Sequence, residues 1–320
     1  MINAVQREIT LGRTDITVAP VAIGTWSWGD QGGWEFGTSH TEEDLAGVVQ
    51  EAAESGLTIL FDTAESYAHG ASEAYLGKYL AARGVRAVLA TKFSPRRFEI
   101  RRKDLFDALQ ESIRRLSVKT IDLYQIHWPT RFASVESRMD ALAAAVEEGL
   151  VRAVGVSNFS RDQILRAHDA LARRNILLAT VQVEYSLLHR NPETDGAASA
   201  CAEREITLLA YSPMAMGILT GKYSPEQLPP PARAGKYTPG LLSRIRPLLV
   251  VMADIASRHE GGTVPQVALN WVSWKGGIPI AGAKSRPQAR QNLSAMTWQL
   301  TPEEGTILDE ASDAVRETGI

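Results

Sequence analysis

Short runs of apolar residues recur along the chain, and several of these runs end at a polar side chain. Such runs precede Asp62, Lys92 and His127, and Tyr67 lies five positions after Asp62. Continuous apolar runs of this length are typical of strands in a parallel sheet that is buried on both faces. Because parallel strands present their carboxyl ends at one rim, we expect the four polar side chains to meet there.

Helical segments alternate with the strands. Thr41 is an N-cap candidate with Asp44 three residues later, which is close to a capping box, and Gly56 follows the end of this helix. Strand–helix units of about 30 residues, repeated about eight times, predict a (β/α)8 TIM barrel. The predicted strands are 21–24, three strands ending at 62, 91 and 127, then 153–157, 180–184, 207–211 and 278–281; the predicted helices are 41–54, 72–82, 101–116, 134–148, a segment after 160, and 196–204.

An N-terminal hairpin completes this interpretation of residues 1–320 as one barrel domain. Residues 7–20 alternate around a turn at 12–15, which predicts an N-terminal β-hairpin cap over the bottom of the barrel. The main rival is a doubly wound sheet, which usually carries a Gly-rich phosphate loop. No G-x-G-x-x-G occurs, and Ala283 stands where a Walker A loop needs lysine.

A long loop, residues 212–240, follows the seventh strand and breaks the repeat. It is rich in proline and glycine. Loops of this length are usually functional lids or disordered segments. Its basic residues Lys222, Arg233 and Lys236 could meet an anionic ligand, and a mobile surface excursion explains them equally well.

Composition narrows the classes of function. The chain has 320 residues, 44% of them hydrophobic and 22% charged, with a net charge of -3, which indicates no general affinity for nucleic acid or anionic membranes. No apolar run approaches the about 20 residues of a membrane helix. The N-terminus has no apolar segment of the signal-peptide type. Cys201 is the only cysteine, so an intrachain disulfide and a cysteine-based metal site are excluded, and we expect a cytoplasmic protein.

An acid, a phenol, an amine and an imidazole at one rim are suited to moving protons. Taken singly, each has an ordinary explanation. Asp62 could form a turn or cap, Tyr67 could be a packed aromatic, Lys92 could be a surface residue, and His127 could be a core histidine. The four together, at matching strand ends, favour a catalytic site.

Several motifs together resemble the aldo-keto reductase family. In order along the chain these are residues 61–67, 91–92, 125–129, 155–159, 182–185, 211–213 and 278–292. The resemblance covers nearly the whole chain and implies reduction of aldehydes or ketones by hydride transfer from NADPH. It implies that Tyr67 donates the proton, that Lys92 lowers the pKa of this phenol, that Asp62 holds Lys92, and that His127 orients the carbonyl.

The resemblance also implies a cofactor site. Ser157, Asn158 and Gln182 would bind the nicotinamide carboxamide, although a Ser–Asn pair after a strand often caps a helix. The turn at Tyr211 and Ser212 would stack on the ring. The remaining cofactor residues lie in the last motif: Gly282 and Lys284 would bind the 2′-phosphate, and Gln288, Gln291 and Asn292 would contact phosphate or adenine.

The charged residues of the last motif bear on the choice between NADPH and NADH. Lys284 favours NADPH over NADH, whereas Gln288 stands where the family often has arginine. Arg286 and Arg290 could add positive charge or could simply be solvated on a helix surface. We expect no metal, since no second histidine stands at a ligand spacing that would support a metal-dependent hydrolase.

A substrate site is expected beside the four polar residues. Trp26, Trp28 and Trp128 would suit a flat or apolar carbonyl compound, and packing of the loop onto the barrel is the alternative for Trp26 and Trp28. Ala68 and His69 follow Tyr67 where the family usually has glycine. Pyridoxal-like aldehydes, methylglyoxal-like dicarbonyls and sugar aldehydes all remain open as substrates. The alternative function is an NADPH-binding regulatory subunit with slow turnover, similar to a channel β subunit.

Overall fold

Eight parallel strands close into a barrel in the computed structural model, which describes residues 8–83, 85, 87–95, 101–230 and 237–316. Each barrel strand pairs with the next along the chain, and the last pairs with the first. A short antiparallel pair precedes them. The strands are β1 (Ile9–Thr10), β2 (Thr17–Val18), β3 (Ala22–Gly24), β4 (Ile59–Asp62), β5 (Ala87–Phe93), β6 (Ile121–Ile126), β7 (Val151–Ser157), β8 (Leu178–Glu184), β9 (Thr207–Tyr211) and β10 (Ile278–Gly282).

Helices connect the strands and surround the barrel. They are α1 (Glu42–Ser55), α2 (Ala71–Arg83), α3 (Arg102–Leu116), α4 (Val135–Glu147), α5 (Arg161–Ala172), α6 (Asn191–Thr194), α7 (Ala197–Glu203), α8 (Pro239–Arg258), α9 (Val264–Trp274), α10 (Arg286–Leu293) and α11 (Pro302–Arg316). Short 3₁₀ turns cover Tyr67–Gly70, Ala215–Thr220 and Ser294–Thr297. The predicted (β/α)8 barrel with an N-terminal hairpin is therefore confirmed.

Local signals set the ends of α1. The Thr41 N–H donates to Oδ2 of Asp44 at 2.9 Å, which satisfies one of the backbone donors left unpaired at the start of the helix. Gly56 follows the helix with φ of 76°, a left-handed conformation that costs glycine little. These residues confirm the helix start and stop that the sequence predicted.

The hairpin of β1 and β2 closes one end of the barrel. Leu11 and Ile16 are buried in a cluster that also contains Leu60 of β4. The Gly12 N–H donates to the Thr207 hydroxyl at 2.7 Å, at the start of β9. A side chain at Gly12 would lie 2.9 Å from a backbone oxygen, so this close contact requires glycine. The hairpin thus lies at the amino ends of the strands, away from the predicted site.

Alternation along the strands decides which side chains enter the barrel. Leu60 and Ala90 belong to the inner cluster. Successive side chains point to opposite faces of a strand, so Asp62 and Lys92, two positions further on, point inward as well. His127 follows the end of β6 by one residue. The polar residues therefore lie at the carboxyl end of the barrel, where the sequence predicted them.

Several strand ends differ by one or two residues from the prediction, and one of them bears on the site. We expected the third barrel strand to end at 91, but β5 continues through Phe93 and Lys92 lies within it. The buried ion pair with Asp62 allows the charged Lys92 to lie inside the strand. The prediction ended the strand too early because it followed the apolar run, which stops before this lysine. In the long loop, a 3₁₀ turn follows β9 and α8 begins at Pro239. Lys222 is exposed, and Arg233 and Lys236 lie outside the described residues. Within the described residues, no helix has the length and apolar character needed to span a bilayer.

Candidate active site

Asp62, Lys92 and Tyr67 are in contact at the rim of the barrel. The Nζ atom of Lys92 donates hydrogen bonds to Oδ2 of Asp62 at 2.6 Å and to the Thr63 carbonyl at 2.8 Å. It also donates to the Tyr67 hydroxyl oxygen at 3.3 Å. The Lys92 side chain is fully buried, and only 4% of the Asp62 side chain is exposed. A cation, a carboxylate and a phenol thus share one water-poor site.

Burial and the neighbouring charges both shift the pKa values of Lys92 and Tyr67. Burial alone would lower the pKa of Lys92, but charge interactions and hydrogen bonds with Asp62 and Tyr67 together outweigh it, so the pKa is raised. Burial raises the pKa of the Tyr67 phenol above its ordinary 10.0, and Lys92 opposes this rise only in part. We expected the pKa of Tyr67 to be lowered; the influence of Lys92 has that sign, but burial exceeds it. Tyr67 therefore keeps a proton that it can donate.

His127 lies beside the phenol. The centroids of the Tyr67 and His127 rings are 5.8 Å apart. Burial, and secondarily the positive charge of Lys92, lower the pKa of His127 to about 3. Its Nδ1 atom lies 2.8 Å from the Ser94 hydroxyl oxygen. At neutral pH this histidine is an uncharged imidazole, which can donate or accept a hydrogen bond but carries no charge.

Two exposed tryptophans flank the pair of Tyr67 and His127. The Trp26 ring lies 6.3 Å from the Tyr67 ring, and the Trp128 ring lies 6.1 Å from the His127 ring and is stacked on it. Trp26 is 44% exposed and Trp128 is 52% exposed, so both present indole surface at the rim. Their positions are compatible with the predicted contact to a flat carbonyl substrate.

The predicted role of Trp28 is wrong. We expected it to contact the substrate, but it is fully buried in the core. Its indole N–H donates to the Ala283 carbonyl at 2.9 Å. Trp28 therefore ties the loop after β3 to the segment after β10. The tryptophans at 26 and 28 share a loop and an apolar character, so their sequence positions alone do not show which one points inward.

The predicted carboxamide-binding residues are adjacent at the ends of β7, β8 and β9. The Asn158 side-chain amide donates to the Ser157 hydroxyl at 3.0 Å, and the Tyr211 hydroxyl donates to the Asn158 amide oxygen at 3.0 Å. The Gln182 amide donates to Oδ1 of Asp62 at 2.8 Å. Gln182 thus links the predicted cofactor residues to the catalytic group. Asn158 and Ser212 have left-handed φ angles of 62° and 52°, which set the direction of the chain after β7 and β9.

The chemistry of these residues fits a nicotinamide cofactor. Amide and hydroxyl groups at Ser157, Asn158 and Gln182 can donate to and accept from a carboxamide. The Tyr211 ring offers a face on which a flat ring can stack. Ser160, rather than Ser157 or Asn158, caps α5, so the capping explanation for this pair does not apply.

The segment after β10 carries the predicted adenosine-phosphate residues. The Lys284 ammonium donates to the Trp34 carbonyl at 2.9 Å and lies 4.9 Å from the centre of the Trp34 ring. The Lys284 backbone N–H donates to the Gln288 side chain at 2.9 Å. The Asn292 side chain is buried and donates to the Gly282 carbonyl at 3.1 Å. These contacts shape the turn at 282–285.

Three other polar side chains of α10 make hydrogen bonds to residues outside the turn at 282–285. The Gln291 side chain donates to the Thr263 hydroxyl at 3.4 Å. Arg286 and Arg290 both donate to Glu51 of α1, at 2.9 and 2.8 Å. Glu51 itself is buried. The two arginines therefore join α10 to α1, whereas the Lys284 ammonium bonds to Trp34 in the loop after β3.

The segment after Tyr67 has a loop shape that usually requires glycine. Ala68 and His69 have φ angles of 47° and 55°, in the left-handed region. This conformation costs a residue with a Cβ roughly 1–2 kcal/mol. His69 is exposed. Ala68 and His69 therefore adopt, with strain, the backbone conformation that glycine would adopt easily.

Sequence reasoning missed one residue that contacts the site, Ser94. Ser94 contacts His127, and its backbone N–H donates to the Glu65 carboxylate at 2.6 Å. Its hydroxyl also donates to the Ser66 hydroxyl at 2.9 Å. The available signal was position, since Ser94 follows β5 directly, as Asp62 and His127 stand at their strand ends. Among the described residues, no group of three or more histidines, cysteines or acidic residues is arranged to hold a metal ion.

Comparisons with known proteins agree with this geometry. The family model described as "Aldo/keto reductase family" matches residues 20–313. Pyridoxal reductase, chloroplastic, from Arabidopsis thaliana is 37% identical over 310 residues, which cover 93% of this chain and 84% of that protein. NADH-specific methylglyoxal reductase from Escherichia coli is 26% identical, covering 97% of this chain and 99% of that protein. The solved structure of a glycerol dehydrogenase from Gluconobacter oxydans has a TM-score of 0.83 and 28% identity, covering 95% of this chain and 94% of that one.

The chain therefore belongs to the aldo/keto reductase family. It is accordingly an oxidoreductase of carbonyl groups that uses a nicotinamide cofactor.

Proposed function

We propose that this protein reduces aldehydes or ketones to alcohols with NADPH, and that Tyr67 donates the proton. The observation that carries the proposal is the contact at 3.3 Å between the partly buried Tyr67 hydroxyl and the fully buried Lys92 ammonium. A phenol that loses its proton beside a buried cation leaves a stabilised phenolate. The contact between Tyr67 and Lys92 is therefore suited to proton donation by Tyr67.

The residues of the site divide the reaction between them. The bound cofactor would supply the hydride. Tyr67 would give its proton to the carbonyl oxygen, so that one hydride and one proton convert the carbonyl to an alcohol. Lys92, held by Asp62, would stabilise the phenolate until the proton is replaced from solvent. The neutral His127 would donate a hydrogen bond to the same oxygen and orient the substrate.

Lys284 supports NADPH as the cofactor. Lys284 belongs to the turn that would hold the 2′-phosphate, and an ammonium is a usual partner of phosphate. Its contacts to Trp34 involve a carbonyl and a ring face, which a phosphate can replace. Gln288 lacks charge, and Arg286 and Arg290 are paired with Glu51. We therefore propose a moderate rather than an absolute preference for NADPH.

A flat or apolar carbonyl compound fits the rim best. Trp26 and Trp128 offer indole surface on either side of the Tyr67 and His127 pair. Aromatic rings gain free energy by stacking on such surfaces. Pyridoxal is the substrate named for the Arabidopsis relative, and a pyridoxal-like aldehyde is therefore the first compound to assay, followed by dicarbonyls and sugar aldehydes.

The deciding experiment compares the wild type with Tyr67→Phe. Oxidation of NADPH is followed by absorbance over a panel of carbonyl compounds, with NADH in parallel. We expect Tyr67→Phe to bind NADPH normally and to lose at least about 100-fold in kcat, the usual range for a lost proton donor. Tyr79→Phe, which removes a phenol hydroxyl bonded to Glu42 instead, is the matched control and should retain activity.

Full activity of Tyr67→Phe on every compound that the wild type reduces would refute the proposed role. A regulatory NADPH-binding subunit would instead bind the cofactor tightly and turn over slowly. Single-turnover oxidation of bound NADPH, with and without the carbonyl compounds, separates these two functions.

A further inference from the structure

Ser94 is held at the junction between the phenol and imidazole sides of the site. Its hydroxyl oxygen lies 2.8 Å from Nδ1 of His127 and 2.9 Å from the Ser66 hydroxyl oxygen. Its backbone N–H donates to the Glu65 carboxylate at 2.6 Å. Ser66 directly precedes Tyr67. Ser94 thus connects His127 to the segment that carries the proposed proton donor.

The backbone of His127 is fixed independently of its ring. The His127 N–H donates to the Phe93 carbonyl at 2.8 Å, and the Asn158 side chain donates to the His127 carbonyl at 3.0 Å. The ring itself is placed between aromatic neighbours, which restrict its position but do not distinguish its two nitrogens. The contact of Ser94 with Nδ1 does distinguish them.

A neutral imidazole has a single N–H, on one nitrogen or the other. His127 is neutral at physiological pH because burial and Lys92 lower its pKa to about 3. To donate a hydrogen bond to a substrate oxygen through Nε2, the ring must carry its hydrogen there. Nδ1 is then a bare acceptor, and the Ser94 hydroxyl is the group placed to donate to it.

The Ser94 hydroxyl has one hydrogen and two neighbouring acceptors. The geometry of the pair makes Ser94 the donor to Ser66. While that bond is made, Nδ1 must supply the hydrogen in its contact with Ser94, and Nε2 is left without one. When the Ser94 hydrogen turns to Nδ1 instead, the hydrogen of the imidazole moves to Nε2. The two serines therefore act on the ring in opposite directions.

We propose that Ser94 is a positioning residue that selects the tautomer of His127, and that Ser66 is the competing acceptor for the Ser94 hydrogen. Ser94 donates to Nδ1 in the form of the enzyme that binds a carbonyl oxygen through Nε2. This inference rests on the proposed function for the role of His127, although the tautomer itself can be measured without any turnover.

Kinetics give the first test. Ser94→Ala is expected to lower kcat for carbonyl reduction about tenfold, the effect of losing one partly buried hydrogen bond, while KM for the cofactor is unchanged. Ser94→Thr keeps the hydroxyl and should restore most of kcat. Ser66→Ala removes only the competitor and should keep or raise kcat, because Ser66 makes no side-chain cap to the turn that follows it. Ser257→Ala, at an exposed site on α8, is the matched control.

Imidazole ¹⁵N NMR of the holoenzyme gives the second test. The chain has six histidines, so the His127 signal is identified by its loss in His127→Gln. Ser66→Ala should shift the His127 population towards the Nε2–H tautomer. The double variant of Ser66→Ala with Ser94→Ala should show no such shift relative to Ser94→Ala alone, since the two positions are coupled only through the Ser94 hydrogen.

The results separate this inference from the proposed function. A tautomer shift in Ser66→Ala that needs Ser94, with a loss of kcat in Ser94→Ala, supports the inference. No shift in Ser66→Ala, or the same shift without Ser94, overturns it, as does an unchanged kcat in Ser94→Ala. Full activity in Tyr67→Phe would remove the proposed proton donor and leave the NMR result for His127 standing by itself.

Discussion

The buried ion pair of Asp62 and Lys92 can be tested with a nearly isosteric substitution, Asp62→Asn. Asp62 accepts hydrogen bonds on both oxygens, from Lys92 at 2.6 Å and from Gln182 at 2.8 Å. An asparagine amide can accept on only one of these two atoms. In either orientation, the asparagine NH2 group therefore faces a donor, Lys92 or Gln182. Lys92 also loses its counter-charge.

The expected loss of stability follows from this geometry. Two unit charges 2.6 Å apart attract by about 6 kcal/mol at an effective dielectric constant of about 20. Part of this attraction offsets the cost of burying both charges, so breaking the pair should lower the free energy of unfolding by about 3–5 kcal/mol. Urea unfolding followed by circular dichroism measures this difference. Glu136→Gln breaks the exposed pair with Arg166 and should cost less than about 1 kcal/mol.

The pH dependence has a definite sign. The pKa of Lys92 is raised in the wild type, so its contribution is present below the ordinary value of 10.5 and is lost as the pH rises through the folded value. Without Asp62, burial lowers the pKa of Lys92, and the variant gains stability as the pH rises towards 10.5. The difference between wild type and variant should therefore be larger at pH 7 than at pH 9.5. A loss in Asp62→Asn no larger than in Glu136→Gln, or a difference that grows with pH, would refute this reasoning.

Three other substitutions test separate features. Gln288→Arg should raise the ratio of kcat/KM for NADPH over NADH about tenfold, because a guanidinium pairs with phosphate, and an unchanged ratio would contradict the placement of α10 beside the 2′-phosphate. Ala68→Gly should raise the free energy of unfolding by about 1 kcal/mol in urea, since glycine adopts a φ of 47° without strain; a lower stability would argue against that strain. The pKa of His127 is lowered from 6.5 to about 3, so the wild type should lose stability as the pH falls below 6.5 relative to His127→Gln; parallel urea midpoints at pH 7 and pH 5 would contradict the shift.

Short-range patterns predicted much of the fold and the location of the site. Apolar runs that end in polar residues identified the barrel strands and placed those polar residues at the carboxyl ends of the strands. Capping residues identified the start of α1. These features depend on a few neighbouring residues, so they can be read without the tertiary structure. The family motifs added the cofactor segments because their order along the chain matches the order of strands around the barrel.

The tertiary structure alone decided which side chains meet across different loops. Trp26 and Trp28 stand two positions apart, yet one lines the rim and the other is buried against Ala283. The contact of Ser94 with His127 joins residues 33 positions apart in the chain. Loop direction and burial set such distances, as well as the balance that raises rather than lowers the pKa of Tyr67. Desolvation depends on every group packed around a side chain, and those groups come from all parts of the sequence.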